Sequence, residues 1–239
     1  MTTVANHSAQ ISKPIIFFDM DGTLLDLAFD TYIWMQRIPE RWAVEHQATL
    51  EQAKSQLYQY YLQYQGSLNW YSSKFWRQHI GVDAFAVQQD NRHLIAPRFG
   101  CFELLNALQN LGIDCWIVSN ADQVTLDLKL ENVLIRPYFK QVISSESIGY
   151  AKEDQRFWQT LQQRYPFDVS QVSFIDDNYA VLDSAKQFGI ALLFSIREPD
   201  SSNTRTELNP NYIHLEQLND LLDHLSDKNH DKPDHLYGT

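Results

Sequence analysis

Seven residues in four short stretches carry the side chains that could do chemistry. They are Asp19 and Asp21 in FFDMDGT, Ser119 and Asn120 in IVSNA, Lys152 in GYAKED, and Asp176 and Asp177 in FIDD. Four carboxylates brought to one crevice would repel one another and raise each other's pKa unless a cation held them. An all-oxygen donor set without a His or Cys cluster suits Mg²⁺, which keeps some of its waters and takes oxygens from a phosphate. Lys152 and the Ser119 hydroxyl, with nearby backbone N–H groups, would grip and neutralise a dianionic phosphoryl group. The set therefore points to metal-assisted phosphoryl transfer. Taken singly, each piece has an ordinary explanation: Asp-x-Asp is a common turn or cap, Ser-Asn a common N-cap, and a lone lysine a solvated helix residue. It is the set, in this order, that carries the inference.

For these residues to meet, the chain must place them at equivalent points of one framework. Ile15-Ile16-Phe17-Phe18 is a short unbroken apolar run, the pattern of a strand buried on both faces of a parallel sheet. Similar runs recur at 113–118, 141–143, 172–175 and 190–194, and the segments 101–111, 121–132, 153–164 and 178–188 read as helices. Alternating strands and helices imply right-handed crossovers and an α/β, doubly wound parallel sheet. In such a sheet the ligand site lies beyond the carboxyl ends of the strands. Asp19 and Asp21 follow the first run, Ser119-Asn120 the second and Asp176-Asp177 the fourth, while Lys152 is expected to open the helix before that fourth run.

Residues 28–97 break the alternation and contain no clear strand. Leu50, Ala53, Leu57, Tyr60 and Tyr64 step by three or four, with Gln52, Gln56, Gln59 and Gln63 on another face, so this stretch predicts an amphipathic helix. The segment holds 13 of the 31 aromatic residues and four of the six Trp. Such a stripe is more often the core of a small helical domain than a platform for stacking bases. The expected organisation is a core of 14–27 and 98–225, an all-helical insert at 28–97, and loose tails at 1–13 and 226–239. His230 and His235 fall in the second tail and are given no role.

Charge and composition narrow the partners. With 19 Lys+Arg against 30 Asp+Glu the net charge is −11, which argues against a nucleic-acid polymer or an anionic membrane as the main partner. The insert has six basic and six acidic residues, so the whole imbalance belongs to the rest of the chain. No apolar run approaches the ~18 residues of a membrane span. The opening MTTVANHSAQISK lacks the apolar centre of a signal peptide, so a cytoplasmic location is expected. Cys101 and Cys115 are too few for a disulfide framework or a thiolate metal site. A monomer and a homodimer are both left open.

The four stretches resemble the motifs of the haloacid dehalogenase-like hydrolases, in the subfamily whose helical cap follows the first motif. FFDMDGT (17–23) is similar to the first motif, IVSNA (117–121) to the second, Lys152 to the third and FIDD (174–177) to the fourth. GTLLDLAFD (22–30), LNWY (68–71), GYAKEDQRFW (149–158) and FIDDNYAVLDSAKQFGI (174–190) resemble a narrower branch, the bacterial nucleotidases that remove the 5′-phosphate from GMP and IMP. LNWY lies in the insert, outside the shared motifs, and so speaks for the branch. Ala151 departs from it, standing where that branch tends to have Pro before the motif lysine. The resemblance implies Asp19 as the nucleophile that forms an aspartyl-phosphate, and Asp21 as the acid that protonates the leaving oxygen and then the base that activates water. It implies that Asp19, the Asp21 carbonyl and Asp177 hold Mg²⁺, with Asp176 reaching it through water. Ser119, Asn120 and Lys152 would bind the phosphoryl group, and Lys152 would also restrain Asp19. Gly22 would permit the tight turn leading toward the insert. The insert would act as a lid that selects the leaving group, a nucleoside monophosphate, with Asn69, Trp70 and Tyr71 the first residues to test for base recognition.

Two alternatives accompany this expectation. One is a sugar-phosphate phosphatase or phosphomutase on the same core, and the other a non-catalytic scaffold that binds through its aromatic insert. Carbon–halogen hydrolysis is disfavoured because it has no use for Asp21. Phosphonate cleavage would need a Schiff-base lysine in the insert, where Lys54 and Lys74 are the only lysines.

Overall fold

The computed structural model describes residues 14–227. Six parallel strands form one sheet in the order β3-β2-β1-β4-β5-β6, with β1 at Ile15–Phe18, β2 at Asp114–Ser119, β3 at Gln141–Ser144, β4 at Val172–Asp176, β5 at Leu192–Ile196 and β6 at Ile213–Leu215. Central β1 is paired on both sides, Phe17 standing opposite Trp116 of β2 and Phe174 of β4. Its alternate residues feed two apolar layers. Ile16 and Phe18 join one cluster with Leu104, Ile117 and Leu126, while Phe17 joins another with Trp116, Trp158 and Phe174. An unbroken apolar run is what this two-sided burial requires. The predicted strand at 190–194 is shifted two residues on, and β6, only three residues long with a polar centre, has no counterpart among the predicted strands.

Leu24–Asp26 runs beside Ala96–Arg98, joined by backbone bonds from Asp26 N to the Ala96 carbonyl and from Arg98 N to the Leu24 carbonyl. Between these neighbouring segments every element is helical: α1 (Ala28–Tyr32), a π-helical turn (Ile33–Arg37), α2 (Ile38–Glu45), α3 (Leu50–Tyr64), a 3₁₀ turn (Leu68–Tyr71), α4 (Ser73–Ile80), α5 (Ala84–Asp90) and a short 3₁₀ turn (Arg92–Leu94). Pro39 has no N–H to give and would press on the carbonyl four residues back, and the wider π turn just before it accommodates both defects. Thr49 and Gln52 form a reciprocal capping box that starts α3. The buried stripe of α3 centres on Ala53, Leu57 and Tyr61 rather than on the predicted line through Leu50, which is exposed. Trp76 of α4 is fully buried at the middle of this segment, with Trp34, Tyr61, Trp70 and Phe75 set around it edge to face at 5.3–5.9 Å.

After the insert come α6 (Cys101–Asn110), α7 (Gln123–Val133), α8 (Ser145–Ile148), α9 (Gln155–Arg164), α10 (Tyr179–Phe188) and α11 (Asp220–Asp227). Lys152 does not open a helix as expected. It sits in the turn before α9, whose N-cap is Asp154, because its backbone N–H is drawn to Asn120 Oδ1 at 2.9 Å and its carbonyl to Trp158 Nε1 at 2.9 Å. The expected tails fall outside the described residues, except that Ser226 and Asp227 close α11. Cys101 and Cys115 are buried and free, and burial pushes each thiol up to about 12. No helix among the described residues is long and apolar enough to cross a membrane.

Candidate active site

The strand order reverses at β1, so a crevice opens at the carboxyl ends of β1, β2 and β4. Asp19 follows β1 directly, its N–H still bonded to the Ile175 carbonyl of β4 at 2.9 Å. Asp176 ends β4 and Asp177 follows it. Lys152 reaches in from the side and donates to Asp19 Oδ1 at 2.5 Å and to Asp176 Oδ2 at 2.7 Å. One oxygen from each of Asp19, Asp176 and Asp177 lies within 4.8 Å of the others.

Burial dominates the electrostatics here. It pushes Asp19 well above the usual carboxylate range, against the pull of Lys152 and with the help of Asp176, Asp177 and Asp21. Asp177 is pushed up to about 7, by burial first and by Asp176 second. Lys152 stays charged: burial opposes its ammonium, but Asp176 and Asp19 more than offset that and raise its pKa. Three crowded carboxylates sharing one ammonium form a donor set for a small hard cation, which would relieve their repulsion and take all-oxygen ligands. The residues present thus fit Mg²⁺.

Gly22 shapes the turn over this site. Its φ is +80°, and a Cβ there would lie 2.7 Å from Asp177 Cγ, so only glycine fits. The same turn carries Asp21 to Lys129 of α7, a buried lysine that forms an ion pair with Asp21 Oδ1 at 2.7 Å and donates to both oxygens of Asp30 at 2.7 and 2.8 Å.

A cavity of about 310 Å³ opens on these groups. Asp19, Asp21, Asp177, Ser119 and Lys152 line one part of it, and Trp34, Met35, Trp70, Tyr71 and Trp76 of the helical segment line another. A family model for the haloacid dehalogenase-like hydrolases matches residues 14–189. The chain belongs to that family. Among characterised hydrolases, the GMP/IMP nucleotidase of Escherichia coli K12 is 35% identical over 186 residues, spanning 78% of this chain and 84% of the relative. The pyrimidine 5′-nucleotidase of the same organism is 26% identical over 178 residues, spanning 68% and 76%. The fold is that of the HAD phosphatase from Thermococcus onnurineus, with a TM-score of 0.75 at 17% identity, covering 89% of this chain and 97% of that one.

Within this HAD framework the expected residues have different fates. Asp19, Asp21, Ser119, Lys152, Asp176 and Asp177 all line the cavity, as do Trp70 and Tyr71. Asn69 is exposed and does not line it. Asn120 also faces the cavity, but its carboxamide is committed: Oδ1 accepts from Lys152 N and Nδ2 donates to Glu153 at 3.0 Å. It positions the lysine's backbone and spends one of its two N–H donors on Glu153. Tyr71 donates to the other Glu153 oxygen at 2.5 Å, so a residue of the insert is tied to the one beside Lys152. Asp30, Gln88 and Lys129 line the same cavity and were not among the expected site residues. Lys129 did leave a signal. The inward face of α7 runs Thr125, Leu126, Lys129, Val133, and a lysine in that apolar spacing asks for a buried partner.

Proposed function

We propose that this chain is a Mg²⁺-dependent phosphomonoester hydrolase acting on purine 5′-monophosphates, GMP and IMP, in the cytoplasm. The observation that carries the proposal is the single cavity joining the Asp19–Lys152–Asp177 cluster to a wall of three tryptophans. A phosphate with a flat aromatic leaving group matches those two linings, and the 35% identity to a GMP/IMP nucleotidase supports the same choice.

On this reading the Asp19 carboxylate attacks phosphorus and the ribose 5′-oxygen leaves, taking a proton from Asp21. Asp21 then accepts a proton from the water that splits the aspartyl-phosphate, returning Asp19 and releasing phosphate. Lys152 and Ser119 hold the phosphoryl oxygens, and Lys152 keeps Asp19 aimed. Asp19, the Asp21 carbonyl and Asp177, with Asp176 reaching through water, would hold Mg²⁺, which when bound would neutralise phosphoryl charge so that one anion can approach another. The helices of 28–97, serving as the cap, exclude water during the first transfer and receive the base.

The test is phosphate release with Mg²⁺ from GMP, IMP, AMP, CMP, UMP, glucose phosphates and phosphoglycolate. Values of kcat/KM for GMP and IMP at least about ten-fold above the rest, ~1.4 kcal/mol of transition-state preference, are expected. A flat profile, or one led by a sugar phosphate, would refute the nucleotidase reading and leave the hydrolase core standing.

A further inference from the structure

On the insert side the cavity wall is largely apolar, built from Trp34, Met35, Trp70 and Trp76, with Gln88 of α5 set into it. The Gln88 side chain is only 2% exposed, and its Oε1 is shielded from solvent with no hydrogen-bond partner among the described residues. Glutamine is common in the insert, but Gln52, Gln56, Gln59 and Gln63 all face solvent. Among other polar side chains on this wall, Ser73 is spent on Asp122 and Thr31 on Asp200. A carboxamide oxygen buried without a donor loses its water and gains nothing in return, which destabilises the fold. Native interiors rarely keep such a group unless something outside the chain satisfies it.

The geometry points to Gln88 as the residue that reads the base, through the edge where a ring N–H stands beside a C=O. This rests on the nucleotidase reading above and names the feature of the substrate that is recognised. A carboxamide complements that edge, Oε1 accepting from the ring N–H while Nε2 donates to the carbonyl. Guanine and hypoxanthine share the edge at N1–H and O6. Adenine presents an acceptor and an amino group there, which the carboxamide meets only when turned over with Oε1 and Nε2 exchanged, and uracil presents the matching edge on a smaller ring. Indole faces stack on any base, so Trp34 and Trp70, backed by the buried Trp76, supply affinity without selecting among bases. Selection falls to the polar group set among them.

The experiment pairs a change in the protein with a change in the substrate. Purine riboside 5′-monophosphate keeps the ring, sugar and phosphate of IMP but lacks O6 and the N1–H. In the full-length wild type with Mg²⁺, kcat/KM for IMP should exceed that for this analogue by about ten-fold or more, and in Q88M the two should fall within about two-fold. A wild-type ratio near one overturns the proposal without any variant, and so does a ratio that Q88M leaves standing. Q88L carries the same comparison should Q88M not fold. Ribose 5-phosphate separates the two levels of failure. If the wild type handles it as well as IMP, the nucleotidase reading itself has failed. If IMP is preferred and its advantage over the analogue survives in Q88M, only the role of Gln88 is lost.

Discussion

Lys129→Met tests how the buried charges beneath the helical segment are balanced. Lys129 is 1% exposed, and its ammonium is shared by Asp30, at 2.7 and 2.8 Å, and Asp21, at 2.7 Å. Burial pushes Asp30 up to about 6 even with the lysine beside it. Methionine keeps much of the volume, so the cost of the change lies in the two carboxylates left without their cation. Removing one partner of a buried ion pair costs about 3–5 kcal/mol. In a chain of this size 1 kcal/mol moves Tm by about 2–4 °C, so at pH 8 the variant should melt roughly 6–20 °C below the wild type. The pH dependence has a definite sign. Without Lys129 the folded-state pKa of Asp30 rises further above its unfolded value, so the folded variant binds a proton that the unfolded chain does not. Its stability therefore falls as pH rises, and the gap to the wild type should narrow on acidification toward pH 5.5. Adding Asp30→Asn removes one of the two stranded charges and should recover part of the loss, with Asp21 still lacking its cation. Calorimetric melts of the single and double variants at the two pH values make the comparison. A single variant melting within about 2 °C of the wild type at pH 8, or no recovery in the double, would refute this account.

Three further outcomes are expected. Asp19→Asn should keep the fold, checked by circular dichroism, and lower phosphate release by roughly 10³-fold or more; residual activity within about ten-fold of the wild type would remove Asp19 as the nucleophile. Gly22→Ala forces a Cβ to 2.7 Å from Asp177 Cγ at a φ of +80°, so it should cost about 1–3 kcal/mol and weaken Mg²⁺ binding in a calorimetric titration, and unchanged affinity would contradict the close approach. Asp177, held at about 7, binds a proton in the folded state that the unfolded chain has already released. Metal-free stability should therefore fall as pH rises from about 4 through 7, and Mg²⁺ should raise Tm more at pH 8 than at pH 6; equal shifts would show that the ion does not relieve that carboxylate.

The sheet was legible because a strand buried on both faces can be written in few ways, and Ile15–Phe18 and Val172–Ile175 are written in that way. The chemistry was legible for a related reason. Aspartates placed where apolar runs end have little packing purpose, so Asp19, Asp21, Asp176 and Asp177 stand out against their surroundings. What escaped were features set by distance across the fold. The turn that holds Lys152 depends on Asn120 and Trp158, which meet it only after β2 and α9 are in place. β6 owes its existence to pairing with β5, and three residues with a central His carry no period to read.

Gln88 escaped for a deeper reason. On the proposed function the core handles a phosphoryl group through charge, and charge must be spelled in Asp and Lys, types that are conspicuous when buried. A cap that receives a neutral base works through flat surfaces and one hydrogen-bonding edge, and both are spelled in residues that also do ordinary packing and solvation. Trp76 is at once the centre of the insert's own core and a wall of the cavity. Gln88 shares its type with four glutamines on the solvent face of α3. Neither carries a sequence signal that separates recognition from structure; for Gln88 only burial and an unmet hydrogen bond do. The distribution of charge follows the same division, with the insert neutral by count and the whole −11 residing elsewhere. Sequence alone therefore reaches the reaction before it reaches the leaving group.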